Sequence, residues 1–140
     1  MIKLTREPLD TAPLLATAQS PQAGAVLLFL GVTRQHTEGR ETSELHYDAY
    51  ETMAVQELST LEAEARQRWN LTECLIVHRL GCVPLGESSV AIVIASPHRR
   101  AAFAAGEWLI DTLKERVPIW KQEYWADGTN AWVHPTEGKR

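Results

Sequence analysis

The chain has 140 residues, a length that suits one domain, and its 44 % hydrophobic and 23 % charged residues exclude wholesale disorder. Fourteen Lys and Arg against eighteen Asp and Glu give a formal charge of -4, which argues against a nucleic-acid binder because non-specific affinity comes mainly from neutralised phosphates. The longest apolar run, residues 25–30, is far shorter than the roughly 20 residues that span a bilayer, and the charged first ten residues do not resemble a signal peptide.

The first half of the chain is predicted to contain two helices and two strands. Residues 14–18 predict a short helix, and the continuous apolar run 25–30 predicts a strand that is buried on both faces. The polar segment 31–43 predicts a mobile loop, long enough that a functional use is expected. Alternation over 45–50 predicts a half-buried strand, and apolar residues at steps of three or four over 52–69 predict an amphipathic helix.

The second half begins with two strands and continues with a long helix. Residues 74–80 and the β-branched run 89–95 predict strands, with a turn at 81–86 between them. A helix is predicted over 97–117, with Ser96 as its N-cap and a proline at its first position, where the missing N–H costs nothing.

The end of the chain predicts a hairpin and completes the fold class. Pro118 ends the second long helix, and an Asp-Gly turn at 127–128 closes a hairpin within 124–132. Strands and helices are intermixed without strict βαβ alternation. The sequence therefore predicts one α+β domain over 1–140, with a mixed or largely antiparallel sheet and two main helices.

Cationic side chains cluster at the start of the predicted helix 97–117. His98, Arg99 and Arg100 lie in its first turn, where the helix dipole favours anions and disfavours cations. A bound anion would offset the unfavourable interaction between these cations and the helix dipole, since backbone N–H groups and arginines would all contact it. The cluster is therefore a candidate anion-binding site. The alternative is that these side chains point into water or pair with acidic residues elsewhere.

Two lysines stand on either side of the proline bend. Lys114 lies about one turn before the helix end and Lys121 follows Pro118, with Trp120 beside it. They are candidates for approaching one substrate from two directions, and two ammonium groups held close lower each other's pKa, which makes lysine a usable proton carrier or nucleophile. The alternative is two lysines that cap the helix or face solvent.

A third candidate site is the segment that follows the first buried strand. Gly31 permits a turn or a close approach of ligand to backbone, and Arg34 would project from the strand end, a common place for binding residues.

The histidines and cysteines give no indication of a metal or cofactor. His46, His78 and His134 lack metal-ligand spacing and are interpreted as structural, and Cys74 and Cys82 lie outside any CxxC pattern. With so few thiols, a cytoplasmic protein with reduced cysteines is expected.

Four ordered segments carry a resemblance to a known family. They are GAVLLFLGVTR (Gly24–Arg34), LHYDAYETMA (Leu45–Ala54), VHRLGCVPLGESSVAIVIASPHRRAAF (Val77–Phe103) and IDTLKERVPIWKQE (Ile110–Glu123). The chain resembles the large, catalytic subunits of molybdopterin synthase over roughly Ile2 to Val133.

The resemblance implies an activity and a set of partners. The family converts cyclic pyranopterin monophosphate into molybdopterin by inserting two sulfurs, in molybdenum cofactor biosynthesis. The sulfur arrives as a thiocarboxylate on the C-terminal Gly-Gly of a small ubiquitin-like subunit, whose tail threads into the large subunit. The implied assembly is a heterotetramer built on a homodimer of large subunits, with an α/β hammerhead-type fold, no cofactor and no metal.

The resemblance also implies roles for individual residues. Lys114 and Lys121 match the two active-site lysines of the family. The implied substrate-binding residues are Val32, Thr33 and Arg34 in the strand-end loop, His98 and Arg99 at the helix start, and Gln122 and Glu123 after the second lysine.

This sequence departs from the family pattern in three places. Thr33 stands where valine is usual, and Ile110 stands where some members carry methionine. Residues 136–140 do not clearly reproduce a basic residue that some members carry in the tail.

A competing hypothesis is a non-catalytic module that uses the same basic cleft to bind a ubiquitin-like tail or a phosphorylated metabolite.

Overall fold

The computed structural model describes residues 1–133 of the chain. In that range the elements are β1 (Ile2–Thr5), α1 (Thr11–Ala18), β2 (Ala25–Val32), β3 (His36–Thr37), β4 (Arg40–Ala49), α2 (Glu51–Arg68), β5 (Glu73–Arg79), β6 (Gly81–Pro84), β7 (Ser88–Ser96), α3 (Arg99–Arg116), β8 (Ile119–Trp125) and β9 (Asn130–Val133).

The first sheet has the strand order β1-β5-β7-β2. Strands β1 and β5 are parallel, whereas β7 is antiparallel to both β5 and β2. Helices α2 and α3 cover one face of this sheet with the main hydrophobic core, and α1 covers the other face with a smaller cluster. Because β5 and β7 lie in the middle of the sheet and are covered on both faces, nearly all of their side chains are buried.

The second sheet is antiparallel and is centred on β4. Strand β8 pairs with β4 along Thr42–Ala49, while β3 and β6 pair with different parts of β4 and β9 pairs with β8. Alternation along β4 buries Leu45 and leaves Asp48 exposed on the other face. Residues on the inner face of this sheet, such as Leu45 and Tyr47, line a cavity together with residues of the first sheet.

The α+β class, the mixed sheet and the two main helices are confirmed. The predicted apolar stripe of α2 is buried at Ala54, Leu58, Leu61 and Ala65, and α3 buries its stripe in the same core. The predicted final hairpin is present as β8 and β9. These elements follow from periodicity because each buries one face against a neighbouring layer.

Two predictions about residues 25–43 are wrong. Strand β2 is an edge strand and not a strand buried on both faces: it pairs only with β7, and Val26 is 40 % exposed. The segment 31–43 is not one loop, since it contains β3 and the start of β4. The hairpin turn between those strands is made by Glu38 and Gly39, both with positive φ, a conformation that suits a tight β-hairpin turn.

The start of α3 and the connection before β7 also differ from the prediction. Ser96 is the last residue of β7 and pairs with Ala25; His98 is the N-cap, so α3 begins two residues later than predicted. The Ser96 hydroxyl donates to the His98 carbonyl and does not cap the helix. The predicted turn 81–86 contains strand β6.

Two further observations complete the fold. Within residues 1–133, the structure contains no helix with the length and apolarity needed to cross a bilayer. His134 and the tail departure at 136–140 lie outside the described residues.

Candidate active site

A cavity of about 270 Å³ lies where the two sheets meet the C-terminal end of α3. Its walls come from the end of β2, the start of β7, the inner faces of β4 and β8, and the last turns of α3. Five of the residues implied by the family resemblance line it: Val32, Arg34, Lys114, Lys121 and Glu123.

Three of these lining residues are cationic, and they reach the cavity from three different elements. Lys114 extends from the last turn of α3, Lys121 lies on β8 beyond the Pro118 bend, and Arg34 follows β2. Within residues 1–133, Arg34 has no acidic partner within ion-pair distance. An anionic ligand would therefore supply the charge that this guanidinium lacks.

A buried carboxylate shares the cavity with these cations. Glu123 is 3 % exposed and accepts a hydrogen bond from the Thr42 hydroxyl, which is also buried. A buried charge is tolerated only when it is hydrogen-bonded or paired. Thr42 lies on β4 opposite the start of the β8–β9 turn, so the sheet itself fixes the direction of the Glu123 side chain.

The wall on the β4 side carries an aromatic pair. The rings of Tyr47 and His78 are edge-to-face, with centroids 5.0 Å apart. Burial lowers the pKa of His78 to about 4, and its Nδ1–H donates to the Arg79 carbonyl at 2.8 Å. Burial raises the pKa of the Tyr47 phenol, and the nearby Glu123 carboxylate raises it further. Both side chains are therefore neutral at physiological pH.

The residue before Arg34 is held in place by hydrogen bonds, which fixes the position of the backbone from which Arg34 extends. Thr33 is 2 % exposed; its N–H donates to the Glu87 carbonyl at 3.0 Å and its hydroxyl to the Val83 carbonyl at 3.4 Å. Thr33 therefore faces the β6–β7 turn and does not line the cavity, unlike its neighbour Val32, which is half exposed.

Gly31 has a packing role that the sequence left open. It lies in extended β2 at a shift of register, and a Cβ built there would come within 2.7 Å of the Val90 side chain. The close approach is thus to a neighbouring strand at the cavity wall.

Gln122 lies on the opposite face of β8 from Lys121 and Glu123. Its side chain donates to Asn130 at 2.6 Å and accepts from the Tyr124 hydroxyl at 3.2 Å. Side chains alternate along a strand, so Gln122 points away from the side on which Lys121 and Glu123 line the cavity, and Gln122 does not line it. The structure thus separates Gln122 from the other implied site residues.

The basic cluster predicted at the helix start lines a second, shallow depression. Gly24, His98, Arg99, Arg100 and Phe103 surround it. The first turn of α3 has no acidic residue and no side-chain cap. Within residues 1–133, neither arginine is ion-paired, so the alternative of acidic partners is not seen there.

The two basic regions do not converge within one chain. They lie at opposite ends of α3, where a rise of 1.5 Å per residue separates Arg99 and Lys114 by about 22 Å. A small ligand therefore cannot contact both regions of one chain.

Sequence reasoning did not single out several of the residues that line the cavity. Tyr47, His78 and Ser89 all line it. The alternation of 45–50 already indicated an inward face for Tyr47, whereas His78 follows the apolar run 74–77 and gave no signal of a cavity.

An α+β fold with a cationic cavity and a buried carboxylate is suited to binding an anionic ligand. The chain belongs to the MoaE protein family, whose family model matches residues 4–116. A molybdopterin synthase catalytic subunit of Bacillus subtilis is 40 % identical over 131 residues, covering 94 % of this chain and 83 % of that protein. The Bos taurus subunit of the same name is 40 % identical over 137 residues, covering 98 % of this chain and 72 % of that one.

Solved structures show the same fold. Molybdopterin synthase from Staphylococcus aureus superposes with a TM-score of 0.87 at 37 % identity, covering 93 % of this chain and 94 % of that one. A complex of subunits 1 and 2 of the molybdopterin-converting factor from Helicobacter pylori contains a chain that matches with a TM-score of 0.77 at 25 % identity, covering 94 % of this chain and 89 % of that one.

Proposed function

We propose that this chain is the catalytic subunit of a molybdopterin synthase and that the domain extends over residues 1–140. It converts cyclic pyranopterin monophosphate to molybdopterin by transferring two sulfurs from a thiocarboxylated partner. The observation that carries the proposal is the cavity in which Arg34, Lys114 and Lys121 surround one buried carboxylate, in a chain of the MoaE family.

The lysines have the charge that the chemistry requires. Release of sulfur from a thiocarboxylate develops negative charge on the acyl oxygen, and positioned ammonium groups in a partly enclosed cavity stabilise such charge. Lys114 and Lys121 are the proposed catalytic residues. Glu123, held by Thr42, is proposed to orient the cations.

The sulfur donor is proposed to be a small ubiquitin-like subunit with a C-terminal Gly-Gly thiocarboxylate. Support comes from the Helicobacter pylori structure, which is a complex of two different subunits. An extended tail suits the entrance of the cavity, where Val32 is exposed beside Arg34.

The phosphate of the pterin is proposed to bind His98 and Arg99 of a second copy of the chain. Uncapped N–H groups at the start of α3 and two arginines without acidic partners in residues 1–133 favour an anion there. The proposed assembly is a homodimer of this chain with one small subunit bound to each copy.

A cytoplasmic location forms part of the same proposal. Cys74 and Cys82 are free thiols, which suits a reducing compartment. Fractionation of cells that express a tagged full-length chain would test it.

Reconstitution tests the function directly. The purified chain is mixed with the thiocarboxylated small subunit and cyclic pyranopterin monophosphate, and dithiolene product is measured. Product is expected with the thiocarboxylate and not with the same small subunit ending in an ordinary carboxylate. Binding of both ligands without any product would support the competing hypothesis of a non-catalytic module.

A further inference from the structure

Three metal-ligating side chains meet on the outer face of the second sheet. They are Glu44, His46 and Cys82, here called the outer-face triad. This face of β4 is opposite the one that lines the cavity, since Leu45 and Tyr47 point to the cavity and their neighbours along the strand point away. The triad is therefore separate from the proposed catalytic machinery.

Strand pairing brings the three side chains together. His46 on β4 lies directly opposite Cys82 on β6, and Glu44 lies two residues earlier on β4, on the same face as His46. Opposite residues of an antiparallel pair have Cβ atoms roughly 4.5–5.5 Å apart, so their side-chain tips reach a common point. Ligands carried on strands are held more precisely than ligands on loops.

The ligand atoms have the spacing that a small cation requires. The Cys82 Sγ lies 3.3 Å from Glu44 Oε2, Glu44 Oε2 also contacts His46 Nε2, and all three ligand atoms lie within 4.8 Å of one another. Zinc–sulfur bonds of about 2.3 Å and zinc–oxygen bonds of about 2.0–2.2 Å place tetrahedral ligands at a separation close to that of Cys82 and Glu44. The direct contact between Glu44 and His46 must open to admit the ion.

The surroundings of the triad leave it accessible and hold one ligand in place. Glu44 and His46 are each a little over one-third exposed, and Cys82 is exposed. The ring of Tyr124 packs against His46, with centroids 4.3 Å apart. A cation can thus enter from solvent, while the imidazole keeps its orientation.

We propose that the outer-face triad binds one Zn²⁺ ion, with a water molecule in the fourth position. One imidazole nitrogen, one thiolate and one carboxylate form a donor set that suits zinc better than magnesium or calcium, which prefer oxygen ligands alone. Binding releases the thiol proton of Cys82 to solvent. The ion joins β6 to β4 on the side away from the cavity and stabilises the sheet that carries Tyr47 and Lys121.

Cobalt titration of the full chain tests the proposal without any measurement of activity. Co²⁺ added to the reduced protein is expected to give visible bands of tetrahedral intensity and a thiolate-to-cobalt band in the near ultraviolet, saturating at one equivalent. Zn²⁺ is expected to displace the cobalt and to raise the thermal midpoint. The other cysteine, Cys74, is fully buried and burial raises its pKa to about 12, so the thiolate band reports Cys82.

Variants separate the triad from unspecific binding. Cys82→Ser is expected to abolish the thiolate band, and His46→Ala and Glu44→Gln to weaken zinc binding by at least about tenfold each. The matched controls are His36→Ala on β3 and Glu41→Gln on β4, which are expected to bind like the unaltered chain.

Cys82 and Glu44 are surface positions, and circular dichroism checks that each variant folds. No saturable cobalt spectrum in the unaltered chain would overturn the proposal. A thiolate band that survives Cys82→Ser, or equal zinc affinity in the triad and control variants, would overturn it as well.

Discussion

The two basic regions at opposite ends of α3 differ in how firmly the fold holds them. At the C-terminal end, Lys114 and Lys121 line a cavity that contains a buried, hydrogen-bonded carboxylate. At the N-terminal start, His98 and Arg99 border an open depression beside the exposed ring of Phe103.

The difference suggests that the two regions serve different functions, one in reaction and the other in binding. A cavity with fixed charges and little water strengthens electrostatic effects on reacting atoms, whereas exposed arginines bind anions without that enclosure. Under the proposed function, the C-terminal end of α3 would contribute the reacting groups of one site, and the start of α3 would contribute the phosphate-binding groups of another. The following predictions test this comparison.

Removal of a cavity lysine is expected to have the largest effect. Lys121→Ala should lower product formation by about 10²–10³, because a positioned cation that stabilises developing charge is lost. Binding of the small subunit and the pterin should change far less. Rates in the reconstitution assay, with Lys3→Ala as the control for the lost charge, check this; equal losses of binding and turnover would contradict it.

The buried histidine under the cavity should make the fold sensitive to acid. Burial lowers the pKa of folded His78 from 6.5 to about 4. Between these two pH values the unfolded chain binds a proton that the folded chain does not, so the free energy of unfolding is highest above pH 6.5 and falls as the pH drops from 6.5 to 4. The loss amounts to about 3 kcal/mol of unfolding free energy. Denaturant unfolding at several pH values should show this slope in the unaltered chain, and His78→Asn should remove that part of it.

Mixing two impaired variants tests whether the two ends of α3 meet across a dimer, provided that activity is measured at a pterin concentration too low to saturate the Arg99→Ala chain. Lys121→Ala and Arg99→Ala chains, unfolded and refolded together, form mixed dimers in which one site carries both changes and the other carries neither. Activity is then expected to recover to roughly a quarter of the unaltered value, since half of the dimers are mixed and each has one intact site. Absence of recovery in a verified mixed dimer would place both residues in one chain's site.

Loss of a guanidinium at the open depression is expected to weaken binding more than turnover. Arg99→Ala should lower pterin affinity about tenfold to a hundredfold, the value of one hydrogen bond to a charged group. A titration of the assembled synthase checks this, with Arg6→Ala as the charge-matched control at an exposed position. Unchanged affinity would remove Arg99 from the proposed phosphate site.

The smallest effect is expected at Gln122, next to a proposed catalytic lysine. Because Gln122 faces away from the cavity and is bonded to Asn130, Gln122→Ala should change turnover by less than about twofold, as a surface substitution away from the site. Glu123→Gln is measured in the same assay. A larger loss of turnover for Glu123→Gln than for Gln122→Ala would show that only the face of β8 that lines the cavity contributes to turnover.

The elements that periodicity predicted are those that bury one face against another layer. Helix α2 satisfies this, whereas strand β7 is buried on both faces and was predicted from its β-branched residues. Both were predicted within a residue or two of their bounds. Strand β1 was missed because it has four residues and pairs with β5, more than seventy residues later in the chain. The β3–β4 hairpin was missed because residues 36–44 are polar and carry no apolar alternation.

The candidate site was predictable in composition and not in geometry. The bend at Pro118 and the strand-end position of Arg34 indicated which cations approach the cavity. The sequence could not show that Thr33 is bonded to the β6–β7 segment, or that Ser96 ends β7 and does not cap α3, because both depend on partners that only the fold brings near.

The alternation of β8 also limits how the length of this chain can vary in evolution. One residue inserted between Pro118 and Lys121 would exchange the two faces of the strand, so that Gln122 would replace its charged neighbours in the cavity. Insertions in the exposed turn at Asp127 and Gly128 leave that register unchanged. Insertions and deletions among related sequences should therefore be found in the turn at 127–128 and should be rare between Pro118 and Lys121.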